Sequence, residues 1–192
     1  MKHIIHHTLY IIAIALLATS CNPYTPRPRT EFPATYTLAY QEIYGHCYDS
    51  IPYPIVALDL YSDGIELDKN HRITGTGYNL YLSDILVPDS LLAEGEYHSL
   101  RPTSDTLHST LYTLHPTPFT FLPGKDYEGT PHGMYILRID DSKVSAIHVL
   151  DSGSFVYRND SLRFTLYYHN VYGRVYTYQP TFSGTLIPWL KK

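Results

Sequence analysis

From residue 34 onward, apolar and polar residues alternate with a period of two, as in a β-strand whose successive side chains point to opposite faces. In residues 162–168 (LRFTLYY), the apolar residues Leu162, Phe164 and Leu166 share one face. Residues 133–140 (GMYILRID) alternate in the same way. The pattern predicts further strands near residues 35–44, 55–61, 77–83, 118–122, 144–150, 153–158, 173–179 and 181–187.

Turn signals separate these predicted strands. They are Ser62-Asp63-Gly64, Pro123-Gly124, Asp140-Asp141 and Asn159-Asp160. Residues 83–93 are the one segment with some helical character, and Pro88 limits it to a short helical turn. Many short strands at close spacing predict an all-β fold, an antiparallel β-sandwich of roughly 8–10 strands. A closed β-barrel is the alternative, since alternation alone does not separate the two.

The sequence contains one internal echo. YTLAYQEIYGHCY (residues 36–48) and FTLYYHNVYGRVY (residues 164–176) align without gaps. One interpretation is duplication of a repeat. The preferred interpretation is that the two segments are separate hairpins with the same turn geometry. In the preferred reading, Gly45 and Gly173 are turn residues with positive φ.

Composition narrows the class of protein. The 192 residues include 20 tyrosines, and their length suits one domain. So many aromatic residues argue against a disordered chain. The net charge of −4, from 14 Lys and Arg against 18 Asp and Glu, argues against a nucleic-acid partner, which needs a basic face.

The N-terminus reads as an export signal over residues 1–20. Lys2 provides a cation, residues 9–17 (LYIIAIALL) form an apolar stretch too short to span a bilayer, and small residues precede Cys21. Either type of signal peptidase would leave Cys21 as the first mature residue. Residues 21–33 contain four prolines and predict a semi-rigid stalk. A single β domain is expected over residues 34–190.

Motifs for catalysis, metals and cofactors are weak. DSGSF and FSGTL lack nucleophile-elbow spacing, and the histidines never fall at metal-ligand spacing. Residues 59–70 match a calcium loop only in part, so a loop with solvated acidic residues is preferred. We therefore expect no enzyme, metal or cofactor. A hydrolase using Cys47 and His46 is a minor alternative, and Cys47 as a small buried apolar residue is the plainer reading.

Aspartate followed by Ser or Thr and an aliphatic residue occurs four times. This pattern resembles the O-glycosylation motif of exported Bacteroidetes proteins, which would place glycans on exposed loop hydroxyls. The competing interpretation is that Asp-Ser and Asp-Thr are ordinary turn and cap pairs. The hydroxyl residues concerned are Ser50, Ser90, Thr106 and Ser161.

The sequence L-A-T-S-C at residues 17–21 resembles a bacterial lipobox. With GMYILRID, DSGSFVY and YTYQPTFSGTL, it makes the chain similar to tyrosine-rich envelope lipoproteins of Bacteroidetes, a group of unknown function. The resemblance implies acylation of Cys21, as by palmitate, and anchoring in membrane lipid. Asn22 in place of aspartate favours the outer membrane, and the lack of an acidic run after Cys21 favours its periplasmic side.

These observations predict a lipid-anchored envelope protein with a structural or interaction role. The alternative is a glycan- or peptide-binding module that uses exposed tyrosines. An envelope protein or a glycan would then be its partner, and nucleic acid would not. The tyrosines proposed to form such a surface are Tyr40, Tyr44, Tyr168, Tyr172, Tyr176 and Tyr178.

Overall fold

The computed structural model describes residues 32–47, 51–100, 117–127, 130–170 and 172–190. All regular secondary structure within these ranges is β-strand, which confirms the predicted all-β class. In chain order they are β1 (Thr35–Tyr36), β2 (Leu38–Gly45), β3 (Ile55–Tyr61), β4 (Ile65–Leu67), β5 (Ile73–Gly75), β6 (Gly77–Leu86), β7 (Gly95–Ser99), β8 (Thr120–Phe121), β9 (Lys125–Tyr127), β10 (Thr130–His132), β11 (Met134–Asp140), β12 (Lys143–Val149), β13 (Ser152–Arg158), β14 (Ser161–His169), β15 (Val175–Tyr178), β16 (Thr181–Ser183) and β17 (Ile187–Leu190).

Thirteen of these strands form one large, curled, open sheet. Its order is β1-β16-β14-β13-β7-β8-β6-β3-β2-β17, with β11 beside β6, β12 beside β11 and β15 beside β14. Most neighbours are antiparallel, and β1–β16, β7–β8 and β17–β2 are parallel. Two hairpins, β4–β5 and β9–β10, form separate small sheets. The strands outnumber the 8–10 expected because several have only two or three residues, too few to show alternation.

The sheet curls where one chain segment passes from pairing with one strand to pairing with another. β1 pairs with β16, and β2 pairs with β3, yet only Thr37 separates β1 from β2. The backbone N–H of Thr37 donates to the carbonyl of Tyr61 at 2.9 Å, so the bend keeps its hydrogen bond. A strand that bends from one ladder to the next lets a sheet fold over its own core.

Positive φ angles mark the tight turns. Asn159 and Asp160 have φ of 49° and 54° between β13 and β14, as a two-residue type I′ hairpin requires, which confirms the turn predicted there. Gly45 and Gly173 have φ of 66° and 74°, as the hairpin reading of the internal echo predicted. The turn predicted at Asp140-Asp141 is displaced by one residue, since Asp141 and Ser142 have φ of 51° and 64° and the strand includes Asp140.

The helical turn predicted within residues 83–93 is wrong. β6 continues through Leu86, and Asp84 forms a bulge with φ of 52°, opposite the register shift between Val56 and Leu58 on β3. Ile85 and Leu86 are fully buried. Burial of these side chains outweighs the weak helical preference of the segment.

The core lies inside the curl of the sheet. Tyr97 stacks on Phe155 with ring centroids 4.5 Å apart and an interplanar angle of 5°. The hydroxyl of Tyr97 donates to the carbonyl of Ala93 at 2.9 Å, so this fully buried ring leaves no unpaired polar group. The core also contains Val56, Leu58, Leu60, Leu80, Leu82, Phe121, Met134, Ile136, Leu162, Phe164 and Leu166.

Strand β3 is buried on both of its faces. Val56, Leu58 and Leu60 enter the core, so the alternation turns Ala57, Asp59 and Tyr61 to the opposite side of the sheet. There Tyr61 forms a second cluster with Ile65 of β4 and Ile139 of β11. The β4–β5 hairpin thus covers one end of this outer side.

Candidate binding site

The outer side of the sheet carries a row of side chains in register across six neighbouring strands, and three of them are tyrosines. The hydrogen-bonded registers place Ile187 beside Tyr40, Tyr40 beside Asp59, Asp59 beside Tyr81, Tyr81 beside Tyr135 and Tyr135 beside Val149. Cross-strand partners share one face of a sheet. We call the surface formed by Tyr40, Glu42, Tyr44, Asp59, Tyr81, Tyr135 and Trp189 the aromatic face.

Glu42 lies beneath two of these tyrosines. Tyr44 donates its hydroxyl to Oε2 of Glu42 at 2.7 Å, and Tyr81 donates to the same oxygen at 3.2 Å. The two phenol oxygens are 3.3 Å apart. Glu42 is only 3% exposed, whereas Tyr44 is 39% exposed. The carboxylate therefore sits under the phenols and fixes their positions.

Asp59 has a similar role on the neighbouring strand β3. Tyr61 donates to its Oδ2 and the amide of Asn79 donates to its Oδ1, each at 2.5 Å. The same Asn79 amide also donates to the carbonyl of Leu60 at 3.1 Å. Asp59 is 7% exposed, so both of its oxygens are held within the protein. A buried carboxylate that accepts several hydrogen bonds fixes its donors strongly.

The local electrostatics keep the phenols protonated. Burial, together with the Glu42 carboxylate, raises the pKa of Tyr44 to about 12. Burial and then the nearby Asp59 and Glu42 carboxylates raise the pKa of Tyr135 to about 12. The pKa values of Tyr61 and Tyr81 are raised too, first by burial. At neutral pH the phenols are neutral, and those of Tyr44, Tyr61 and Tyr81 donate to the carboxylates, with oxygen lone pairs left to accept.

Trp189 forms one edge of the aromatic face. Its indole stacks on the imidazole of His71 with centroids 4.2 Å apart and an angle of 10°. The ring of Tyr40 meets both edge-on, at 6.5 Å from Trp189 and 5.8 Å from His71. His71 comes from the loop between β4 and β5, where Asp68 accepts the backbone N–H of Arg72 at 2.9 Å. The small hairpin therefore braces this edge.

The tyrosines proposed from the sequence do not form one surface. Tyr40 and Tyr44 lie on the aromatic face. Tyr168 and Tyr176 stack on each other at 5.4 Å on β14 and β15. Tyr178 belongs to the core, where its hydroxyl donates to the carbonyl of Pro33 at 2.7 Å.

Tyr172 lies apart from the other proposed tyrosines. It is 69% exposed in the loop between β14 and β15. That loop precedes β15, which pairs with β14. In the sheet order, β14 lies several strands away from β2.

Two of the four proposed glycosylation sites fall on described residues. Ser90 is exposed in a loop, and its backbone N–H donates to Oδ1 of Asp89 at 2.7 Å, as in an ordinary turn pair. Ser161 is half-buried at the start of β14, and its hydroxyl donates to the carbonyl of Phe182 at 3.2 Å. Ser90 therefore suits the exposed-loop requirement better. Ser50 and Thr106 lie outside the described residues, as does the proposed lipidation site Cys21.

The cysteine and calcium-loop expectations need correction. Cys47 is exposed, so it is not a buried apolar residue. Asp59, predicted to be a solvated loop residue, is instead buried in β3 because its position faces Tyr61 and Asn79. Within the described ranges, no group of three or more His, Cys, Asp and Glu side chains is placed to hold a metal ion.

Sequence reasoning missed Glu42, Asp59, Tyr81, Tyr135 and Trp189. The signal for Asp59 was a single acid inside the apolar run IVALDLY, and the signal for Glu42 was an acid between Tyr40 and Tyr44 at strand spacing. An acid in such a strand must face solvent or a buried polar network, and alternation alone does not say which.

The chain matches no protein-family model, no curated protein and no solved structure in these three comparisons. The described part of the chain has no helix of the length and apolarity that a membrane span requires.

Proposed function

We propose that this is a lipid-anchored cell-envelope protein whose β domain has an interaction role. The observation that carries the interaction role is the aromatic face. Tyr44, Tyr81 and Trp189 are held in place on the outer side of the sheet, whereas the main hydrophobic core lies on the other side. Surfaces rich in Tyr and Trp are typical of binding interfaces.

The anchor in this proposal is Cys21. Support comes from residues 1–21, with an apolar stretch too short to span a bilayer, small residues before Cys21 and the proline-rich stalk after it. Acylation at Cys21 would hold the domain at the outer membrane, on its periplasmic side. Two or more acyl chains give stable anchoring, whereas one gives only reversible binding.

Membrane fractionation tests the anchor. We expect the wild-type protein in the membrane fraction and Cys21→Ser in the soluble fraction. Ser20→Ala is the matched control, because it keeps both a small residue before the cysteine and the thiol. Retention of Cys21→Ser in the membrane would contradict lipid anchoring.

Capture from solubilised native envelope tests the interaction role. Wild-type protein, Tyr40→Ala and Tyr172→Ala are immobilised separately, and the retained protein and carbohydrate are quantified. We expect a component that wild type and Tyr172→Ala retain and Tyr40→Ala loses. Equal retention by all three would leave the aromatic face without a role and overturn the interaction proposal.

A further inference from the structure

Resting on the proposed interaction role, we propose that the aromatic face binds carbohydrate, as an oligosaccharide laid across strands β17, β2, β3, β6 and β11. This assigns a ligand class and names contact residues beyond the proposed tyrosines, with Trp189, Tyr81 and Tyr135 joining Tyr40 and Tyr44. Three properties of the aromatic face support this proposal: the chemical groups that it exposes, its rigidity and its extent.

Tyr44 is exposed on this surface, and its other aromatic residues are half-buried, so the surface presents parts of its rings and phenol oxygens to solvent. Glu42 and Asp59 are 3% and 7% exposed, so a ligand meets the tyrosines above the carboxylates before it meets either charge. A ligand cation that pairs directly with a carboxylate would have to displace Tyr44 and Tyr81 from Oε2 of Glu42. Pyranose sugars present apolar C–H faces and many hydroxyl donors. Rings and acceptor oxygens complement both features.

The aromatic face is preorganised. Tyr81 stacks on Tyr135 with centroids 5.1 Å apart, and its hydroxyl is tied to Glu42. Trp189 is stacked on His71, which the β4–β5 loop holds. Side chains already fixed lose little rotamer entropy when a ligand binds. Glu42 and Asp59 thus act as positioning residues, which hold the contact residues without touching the sugar.

The extent of the row fits a chain of sugars. Ile187, Tyr40, Asp59, Tyr81 and Tyr135 occupy the five adjacent strands of the proposed site. At about 4.8 Å between neighbouring strands, five strands span about 19 Å. This length exceeds one sugar ring severalfold, so the surface suits an extended oligosaccharide lying across the strands.

The test uses the emission of Trp189, the single tryptophan of the chain, which lies in the proposed site. Soluble Cys21→Ser protein is screened against an immobilised panel of neutral hexose, pentose and N-acetylhexosamine oligosaccharides. Each retained oligosaccharide is then titrated in solution against Trp189 emission. We expect saturable binding of at least one oligosaccharide. Absence of binding across the panel would overturn the carbohydrate assignment.

Variants locate the site. Tyr40→Ala should weaken oligosaccharide binding about tenfold or more, as loss of an aromatic anchor does, and Tyr40→Phe should keep most of the affinity because it keeps the ring. Tyr172→Ala, a matched change of an exposed tyrosine outside the aromatic face, should leave the affinity unchanged. Equal weakening by Tyr40→Ala and Tyr172→Ala would refute this location.

Glu42→Gln tests the positioning role. It should weaken binding severalfold and, by removing a negative charge, lower the pKa of Tyr44 in NMR titration of the labelled phenol. A purely structural role would move thermal stability without that spectroscopic change. An unchanged Tyr44 pKa in Glu42→Gln would contradict the positioning role.

Two further arms separate this inference from the proposed function. Spermidine and an arginine-containing tripeptide are titrated under the same conditions. If they change Trp189 emission and the oligosaccharides do not, the ligand class is wrong while the interaction role stands. If Tyr40→Ala also retains the same envelope components as the wild-type protein, both proposals fail.

Discussion

Gln41 and Glu42 are neighbours on β2 whose side chains enter opposite faces of the sheet, and a substitution at Gln41 tests that partition. Gln41 pairs with Leu58, a core residue, and is 4% exposed. Its side-chain Nε2 has no hydrogen-bond partner. We predict that Gln41→Met stabilises the protein, because methionine has a similar length and no polar hydrogen to leave unpaired.

The magnitude follows from the orphaned amide. An unsatisfied buried donor costs about 1–3 kcal/mol. A flexible methionine recovers most of that amount with little strain, so we expect a gain of about 1–2 kcal/mol. For a domain of this size each kcal/mol shifts the melting temperature by about 2–4 °C, so Tm should rise by about 2–8 °C.

Thermal unfolding followed by circular dichroism measures the shift. The control is Gln179→Met, because Gln179 is exposed and its amide donates weakly to Thr165 at 3.4 Å. Surface substitutions of this kind change stability by less than about 0.5 kcal/mol. A lower Tm for Gln41→Met would mean that the amide has a partner in solution and that the assignment of faces along β2 is wrong.

Three further predictions concern strain and charge. Asp84→Asn should stabilise by about 1 kcal/mol in urea unfolding at pH 7, since burial raises the Asp84 pKa and asparagine tolerates its φ of 52°, whereas Asp84→Ala should destabilise. Burial lowers the His148 pKa, so the unfolded chain binds more protons below about pH 6.5; stability should fall from pH 7 to pH 5, and less so in His148→Gln. Gly133→Ala should cost about 2 kcal/mol or more, because its Cβ would collide with the carbonyl of Pro123, and clearly more than Gly45→Ala, where the φ is similar but space is open. An unshifted curve for Asp84→Asn, an unchanged pH slope for His148→Gln, or equal costs at the two glycines would each refute the corresponding argument.

The strand pattern could be predicted from the sequence wherever strands were long enough to alternate. Residues 55–61 and 162–168 are examples, and the structure forms β3 and β14 there. The short strands of β1, β8 and β16 have two or three residues, so their pairing is fixed by tertiary contacts instead. The bulge at Asp84 could not be predicted either, because it lies opposite a register shift in the neighbouring strand and so depends on tertiary pairing.

The candidate site was harder to predict because it depends on register. Tyr40, Asp59, Tyr81 and Tyr135 are far apart in the chain and meet only through the pairing of β2, β3, β6 and β11. The sequence could indicate that tyrosines would matter. It could not separate Tyr44 on the aromatic face from Tyr178 in the core, because both lie in predicted strands and the sequence does not say which side of the sheet each tyrosine faces.

NMR of 3-fluorotyrosine-labelled protein tests whether the aromatic face is the ligand-contact surface. A retained oligosaccharide, or the envelope component captured by the wild-type protein, is added to the labelled domain and the tyrosine resonances are assigned by single substitutions. We expect shifts at Tyr40, Tyr44, Tyr81 and Tyr135, with Tyr172 and Tyr176 unmoved. Shifts confined to Tyr172 and Tyr176 would contradict it.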